Sequence, residues 1–387
     1  MYNTQWNSIS IIFYVLLALI GMCCMYRIKK DSGFSNFKRL FANPFFLLWW
    51  GIWTIAAAYR LVGDGIGGMD ASGYIDIFQN CLRPNYLDDH STGDFLFLYI
   101  TKFFRCMSED YHVYFIFMYG FMLAVYIYFL KFFTESEYSV VPYFLTFYLF
   151  LRSFNTLRSN FAIAVILLSL VAFSRKEYRK AYIIAIGSVL IHKAAFVYAA
   201  VLPFVHIFRK RRINYYNLIV FVVLSTIGAR IFQQWFIGFA DNVELGGAYK
   251  SYASRSLEDD HSFLYVDSFG QWLLAFLLWK FRKVFNFESQ NNPKMQLLWL
   301  ASVFDIMMVP FSSILGIWRA YEFLYLVRLS MLSFLIGYVL RNKNRGVRYI
   351  VQFGTLVFFI SWMVYRISRT YEDSALLPYV FEPFMNI

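Results

Sequence analysis

Apolar positions along this chain run together for longer than the face of a soluble helix requires. Stretches of about 17–25 predominantly apolar residues are long enough to cross a bilayer. The pattern predicts twelve membrane-inserted helices, some of them shorter than that. They are Ser8–Tyr26, Pro44–Val62, Tyr111–Leu130, Ser139–Leu151, Ser159–Phe173, Ala181–Ile191, Ala194–Phe208, Asn214–Ile231, Phe263–Trp279, Met295–Leu315, Ala320–Leu340 and Val347–Tyr365. Helices are expected because they satisfy their own backbone polar groups in lipid. The predicted fold class is all-α: one polytopic integral membrane domain over 1–387.

The segments between the runs divide by charge. Six short loops, beginning at Arg27, Lys131, Arg175, Arg209, Lys280 and Arg341, hold 22 of the 36 Lys and Arg and only five of the 24 acids. They sum to +17, and the rest of the chain to −5. The excess of Lys and Arg in cytoplasmic loops sets orientation. These six loops are therefore expected in the cytoplasm, with both termini outside. The opening MYNTQWNS lacks a charged n-region, and Ser8–Tyr26 is too long for a signal-peptide core. It reads as a retained helix. Two outer segments are substantial: 60–110, with the amphipathic stretch DFLFLYITKFF suited to lying along the interface, and 230–262.

Composition agrees. The 387 residues are 59% hydrophobic, 22% aromatic and only 16% charged, whereas a soluble domain is about a quarter charged. That excludes a water-soluble globular protein and a disordered chain. The net charge of +12 does not point to nucleic acid, because the basic residues punctuate apolar spans instead of clustering on a soluble face. Cys81 and Cys106 share the first outer loop, where a disulfide is one alternative; no metal-ligand spacing is present.

Two stretches are too short for what they must do. Ser139–Phe173 has to cross twice and turn, which keeps Arg152, Asn155 and Arg158 of LRSFNTLRSN at or below the outer surface. Ala181–Phe208 lies between two basic loops, and two full spans need about 40 residues. It predicts a hairpin of short helices whose tip, His192–Lys193, stops within the membrane depth; one long tilted helix is the alternative. Short or broken helices with ionisable tips point to binding sites. Asp305 and Arg328 fall inside predicted spans and read as a structural pair.

Arg60, Arg152, Arg158 and Arg319 come from separate regions but share the outer side. Planar, permanently charged guanidinium groups suit phosphate or pyrophosphate, here a phosphorylated lipid headgroup. Any one of them also reads as a snorkelling interfacial anchor. Asp64, Asp70 and Asp76 include candidates for a general base, each otherwise a solvated loop carboxylate, and His192 for a base, acid or donor. GDGIGG lacks the GxxxxGKS/T continuation, so it is not a nucleotide loop.

The order of these features resembles the EpsG/Wzy-like repeat-unit polymerases of bacterial surface polysaccharides. Arg60 followed by Gly68, Asp70 and Tyr74 in GGMDASGYIDIF is similar to the family's Arg…Gly-x-Asp-x-x-x-Tyr pattern. Arg158 in LRSNFAIAVILLSL, His192 in LIHKAAFVYA and Arg319 in GIWRAYE resemble its later elements. GDGIG lengthens the interval from Arg60 to Asp70, which leaves Asp64 and Asp70 both open for the family's Asp. The resemblance implies a glycosyltransferase-C-like architecture in the bacterial inner membrane. It implies a lipid-linked donor and acceptor, usually undecaprenyl pyrophosphate oligosaccharides, no cofactor, and a chain-length regulator as partner. Catalytic roles would fall to His192 and Asp70, and substrate contacts to Arg60, Arg152, Arg158, Arg319 and Tyr74. A transporter of lipid-linked oligosaccharide and a membrane acyltransferase acting on a glycan are the alternatives. The first should show two repeated halves, and none is visible here.

Overall fold

A computed structural model describes residues 4–27, 37–63, 66–84, 86, 94–133, 150–211, 215–242, 269–284, 292–314, 322–340, 344–369 and 375–382. Among them every regular element is helical, and extended pairing is confined to two isolated bridges. The chain is all-α, as its pattern predicts. Four described helices are long and apolar enough to cross a membrane: Tyr111–Phe133, Leu157–Ser174, Tyr215–Gln234 and Arg345–Tyr365. Shorter apolar helices occupy Asn7–Gly21, Pro44–Ala58, Ala195–Phe208 and Tyr325–Tyr338. Of the expected span Ser139–Leu151 only the last two residues are described.

The chain forms two compact units, Met1–Ala199 with Leu332–Ile387, and Ala200–Met331. The first contains α1 (Thr4–Arg27), α2 (Phe37–Phe41), α3 (Pro44–Ala58), α4 (Ala71–Asn80), α5 (Phe95–Met107), α6 (Tyr111–Phe133), α7 (Leu157–Ser174), α8 (Tyr178–Ile191) and α9 (Ala195–Ala199). Asn43 caps α3 by accepting the backbone N–H groups of Phe45 and Phe46, and Pro44 starts the helix. Helix α6 is packed nearly all round, with α3 on one side and α7 on another. The α3 contact is close because Gly120 has no side chain. A Cβ there would sit 2.9 Å from the Trp50 ring, whose Nε1–H donates to the Gly120 carbonyl at 2.8 Å.

Helices α7 and α8 make a hairpin through Arg175–Glu177. The Arg175 N–H closes α7 onto the carbonyls of Val171 and Ala172, and Lys176 takes φ +65°. The Arg175 guanidinium donates to the Tyr128 hydroxyl on α6. Helix α5 is amphipathic, as expected. Phe97, Leu98 and Thr101 are buried, and Phe95, Tyr99, Phe103 and Met107 form an exposed apolar stripe.

The segment 375–382 returns to this unit. Ala375, Leu376 and Val380 carbonyls accept from the Gly68 N–H, the Tyr14 hydroxyl and the Leu61 N–H, and Tyr379 N–H donates to Ser10. Glu382 accepts from the Tyr111 hydroxyl at 2.8 Å and lies 3.0 Å from His112 Nε2, whose other ring nitrogen meets Asp110. Burial pushes the Asp110 carboxyl up, but the hydrogen bonds from the His112 backbone and ring together outweigh it and hold the group below the usual carboxylate value.

The second unit contains α10 (Val201–Phe208), α11 (Tyr215–Asn242), α12 (Phe269–Lys280), α13 (Pro293–Ile314) and the first part of α14 (Tyr325–Leu340). Helix α13 is its centre and packs on α10, α11 and α12. Phe204 sits among Phe208, Phe221 and Phe304. The expected pair of intramembrane charges is formed: Arg328 Nε lies 2.9 Å from Asp305, which also accepts from Gln271 at 3.1 Å. Helix α11 continues to Asn242, so the start of the expected outer loop 230–262 is helical and its remainder lies outside the described residues. Outward-facing Ile219, Val220, Val223, Leu224 and Ile227 on α11 are suited to lipid; in the first unit, so are Ile350, Phe353, Val357 and Phe358 on α15 (Arg345–Arg369).

Candidate functional site

The α7–α8 hairpin has a geometric consequence. Arg158 stands 16 residues before the end of α7 at Ser174, and His192 14 residues after the start of α8 at Tyr178. At 1.5 Å per residue both are about 21–24 Å from the turn. An antiparallel pair therefore brings the two side chains to one level, short of the roughly 30 Å apolar core.

Helix α8 ends there. His192 is extended, with φ −152° and ψ 116°, and α9 starts only at Ala195. The continuous tilted helix is thereby excluded for this stretch. The break frees the Lys193 N–H from the helical ladder, and it donates to Asp94 Oδ1 at 2.9 Å. Asp94 Oδ2 receives Arg158 Nη1 at 2.9 Å and lies 3.4 Å from His192 Nδ1. The Asp94 side chain is 4% exposed, against 28% for Arg158 and 20% for His192. One buried carboxylate thus joins two partly open groups. Burial pushes the Asp94 carboxyl up, but the hydrogen bond from His192, the Arg158 charge and the Lys193 N–H outweigh it and hold the group below the usual carboxylate value.

The neighbouring elements lock this arrangement. Arg158 lies over the Phe97 ring of α5 at 5.8 Å, and buried Tyr74 of α4 meets the same ring edge-on at 5.9 Å. Asn155, just before α7, accepts the Met69 N–H. Gly68 has φ +108°, and a Cβ on it would come within 2.6 Å of the Phe154 carbonyl. A residue with a side chain would push apart the turn that leads into Arg158.

Arg60 has a different place. It is 1% exposed. Its Nε donates to the Gly67 carbonyl at 2.6 Å, and its other nitrogens donate to the Ala57 carbonyl and, at 2.8 Å, to the Tyr119 hydroxyl. Phe154, Tyr119 and Phe115 surround it at 4.1, 4.9 and 5.4 Å. The sequence suggested a substrate contact. In the structure three of its five N–H groups donate to these acceptors, and its face meets three aromatic rings.

The sequence matches the EpsG family over residues 45–381. The chain belongs to the EpsG family. It is a membrane protein of a family tied to polysaccharides and associated with glycosyltransferase-like polymerase activity. No curated protein and no solved structure matches it.

Of the EpsG-like residues named from the sequence, the structure gathers Arg158 and His192 around one carboxylate and places Tyr74 one ring away. Arg152 is half-buried in the same pre-α7 turn, where its carbonyl accepts from Thr156 Oγ1. Asp70 occupies the N-cap position of α4 without capping it. The carboxylate facing His192 is that of Asp94. Arg319 and Asp64 lie outside the described residues. Cys81 and Cys106 are free thiols, the first buried and the second exposed. Asp94 was not singled out from the sequence because an Asp directly before an amphipathic helix reads as its N-cap. It makes no such bond to α5, which only the folded chain shows.

Proposed function

We propose that this EpsG-family protein polymerises lipid-linked oligosaccharide repeat units at the outer face of a bacterial inner membrane. The observation that carries the proposal is the Arg158–Asp94–His192 cluster, where one partly open arginine and one partly open histidine share a buried carboxylate. Arg158 would bind the pyrophosphate of an undecaprenyl-linked donor, since a guanidinium fork matches phosphate oxygens. His192 would turn Nε2 to the acceptor. Its Nδ1 faces Asp94, and Nε2 has no hydrogen-bond partner among the described residues.

In the proposed step the acceptor's sugar hydroxyl attacks the anomeric carbon of the donor glycan. The new glycosidic bond forms as the bond from that carbon to the pyrophosphate oxygen breaks. The hydroxyl proton passes to His192 Nε2, and undecaprenyl pyrophosphate leaves against Arg158. Preorganised positive charge where negative charge develops is the main source of rate in such a site.

The test is elongation by purified protein in lipid vesicles. Lipid-linked repeat units from cells deleted for this gene serve as both donor and acceptor. Longer glycans are expected, and Arg158→Ala should lower the rate by about 100-fold or more. Translocation without elongation would favour a transporter, and change only on adding an acyl donor an acyltransferase. Either result overturns the proposal.

A further inference from the structure

The cluster has an imbalance. Asp94 offers two oxygens to three donors. Oδ1 is fixed by the Lys193 backbone N–H at 2.9 Å. That bond keeps the carboxylate from rotating to give Arg158 and His192 an oxygen each. They share Oδ2 on unequal terms: Arg158 holds it at 2.9 Å, and His192 Nδ1 stands off at 3.4 Å. The first is a full charge-assisted contact and the second exceeds ordinary N–H···O length. His192 is therefore held in direction but weakly bonded.

Arg158 has a reason to let go. Its side chain is the most open of the three. A diphosphate brings more charge than a carboxylate and accepts both arms of a guanidinium fork. We infer that Asp94 is a relay between the two groups: a diphosphate ester arriving at Arg158 draws the guanidinium away from Asp94 Oδ2, and the released oxygen moves onto the Nδ1–H of His192.

The consequence is ordered activation. Before the anion binds, Asp94 is committed to Arg158 and the imidazole is a poorly supported base. Afterwards Oδ2 serves His192 alone, favours the tautomer with the proton on Nδ1, and stabilises the imidazolium that forms when Nε2 takes a proton. Asp94 is a positioning residue here, acting through His192. The tether at Lys193 is central, because it keeps Asp94 in place while Arg158 departs. The inference rests on the polymerase reading for the reaction that the base serves, but not for the response to an anion.

Histidine-selective ¹⁵N labelling of the full chain in lipid nanodiscs reads this directly. Of the five histidines, the His192 signals are those lost in His192→Gln. Two probes are added separately: inorganic pyrophosphate and undecaprenyl pyrophosphate. With either one, phosphorus signals from the bound probe should appear, and the His192 Nδ1–H proton should move downfield as its hydrogen bond shortens. A response to the lipid probe alone assigns the source to a membrane-borne diphosphate. Asp94→Asn should still bind the probe but leave the His192 resonance unmoved. Asp94→Glu should recover part of the shift, which guards against a simple folding defect. Arg158→Gln should abolish the response.

Bound probe with an unchanged His192 signal in the unaltered protein would overturn the relay, as would a full shift in Asp94→Asn or no binding of either probe. The elongation assay separates the two ideas. A shift without elongation keeps the relay and rejects the polymerase; elongation without a shift does the reverse.

Discussion

Asp94 shows how much one side chain's role depends on its neighbours. Next to PheLeuPhe it has the sequence signature of a helix cap, yet its oxygens go to a backbone N–H, a guanidinium and an imidazole from other helices. Because its folded-state value is lowered, the sign of its pH effect follows. The unfolded carboxyl titrates near pH 4. Stability from the ionised form is fully present above that, and is lost as pH falls through the lower folded-state value. Melting temperatures of the unaltered protein and Asp94→Asn should therefore differ fully at pH 6, and the gap should narrow steadily below about pH 4. Scanning calorimetry in detergent at stepped pH checks this; a gap that widens on acidification would contradict the pairing. Arg60 is the opposite lesson. Its position before the outer loop resembles a family motif, but only the structure shows the rings and carbonyls that surround it and take three of its five N–H groups.

At the scale of elements, the broken helix was legible in advance. Ala181–Phe208 is too short for two spans, and its centre is polar, so length and hydropathy pointed to a break at His192 with one long tilted helix as the alternative, which the extended His192 excludes. The short α7–α8 connection also fixed which residues stand level, because helical rise is constant. What length could not supply is the third element. Helix α5 packs against α8 and brings Asp94 with it, a contact between segments about a hundred residues apart. In the second unit, α12, α13 and α14 are joined by the Gln271–Asp305–Arg328 contacts. Asp305→Ala should cost about 3–5 kcal/mol by stranding a buried guanidinium, whereas the double variant Asp305→Leu, Arg328→Met should cost far less. Equilibrium unfolding of the three proteins in mixed micelles is the measurement, and equal losses in the single and double variants would show that the charges are not a mutual pair.

For the whole molecule, orientation decides whether the cluster can meet an outer-leaflet lipid. The charge division between loops predicts that it does. In a cysteine-free background, an impermeant maleimide applied to intact spheroplasts should label Met69→Cys, a residue exposed beside the site. Arg211→Cys, in the Arg209–Arg212 loop, should react only after permeabilisation. The reverse pattern would place Arg158 and His192 on the cytoplasmic side and end the outer-face reading.

Sequence by itself determined the all-helical class, the segregation of basic loops and the polar centre at His192–Lys193. Each depends on how a local segment partitions between water and lipid, and that is written in consecutive residues. Tertiary structure decided which charges meet. It withdrew Arg60 into an aromatic cage, seated Arg158 and His192 on Asp94, and laid the 375–382 segment against the Gly68 loop. Electrostatic partnership is set by distance in space, and here the partners of Asp94 lie on α7 and at the end of α8, helices far along the chain whose ends only packing brings to the same point.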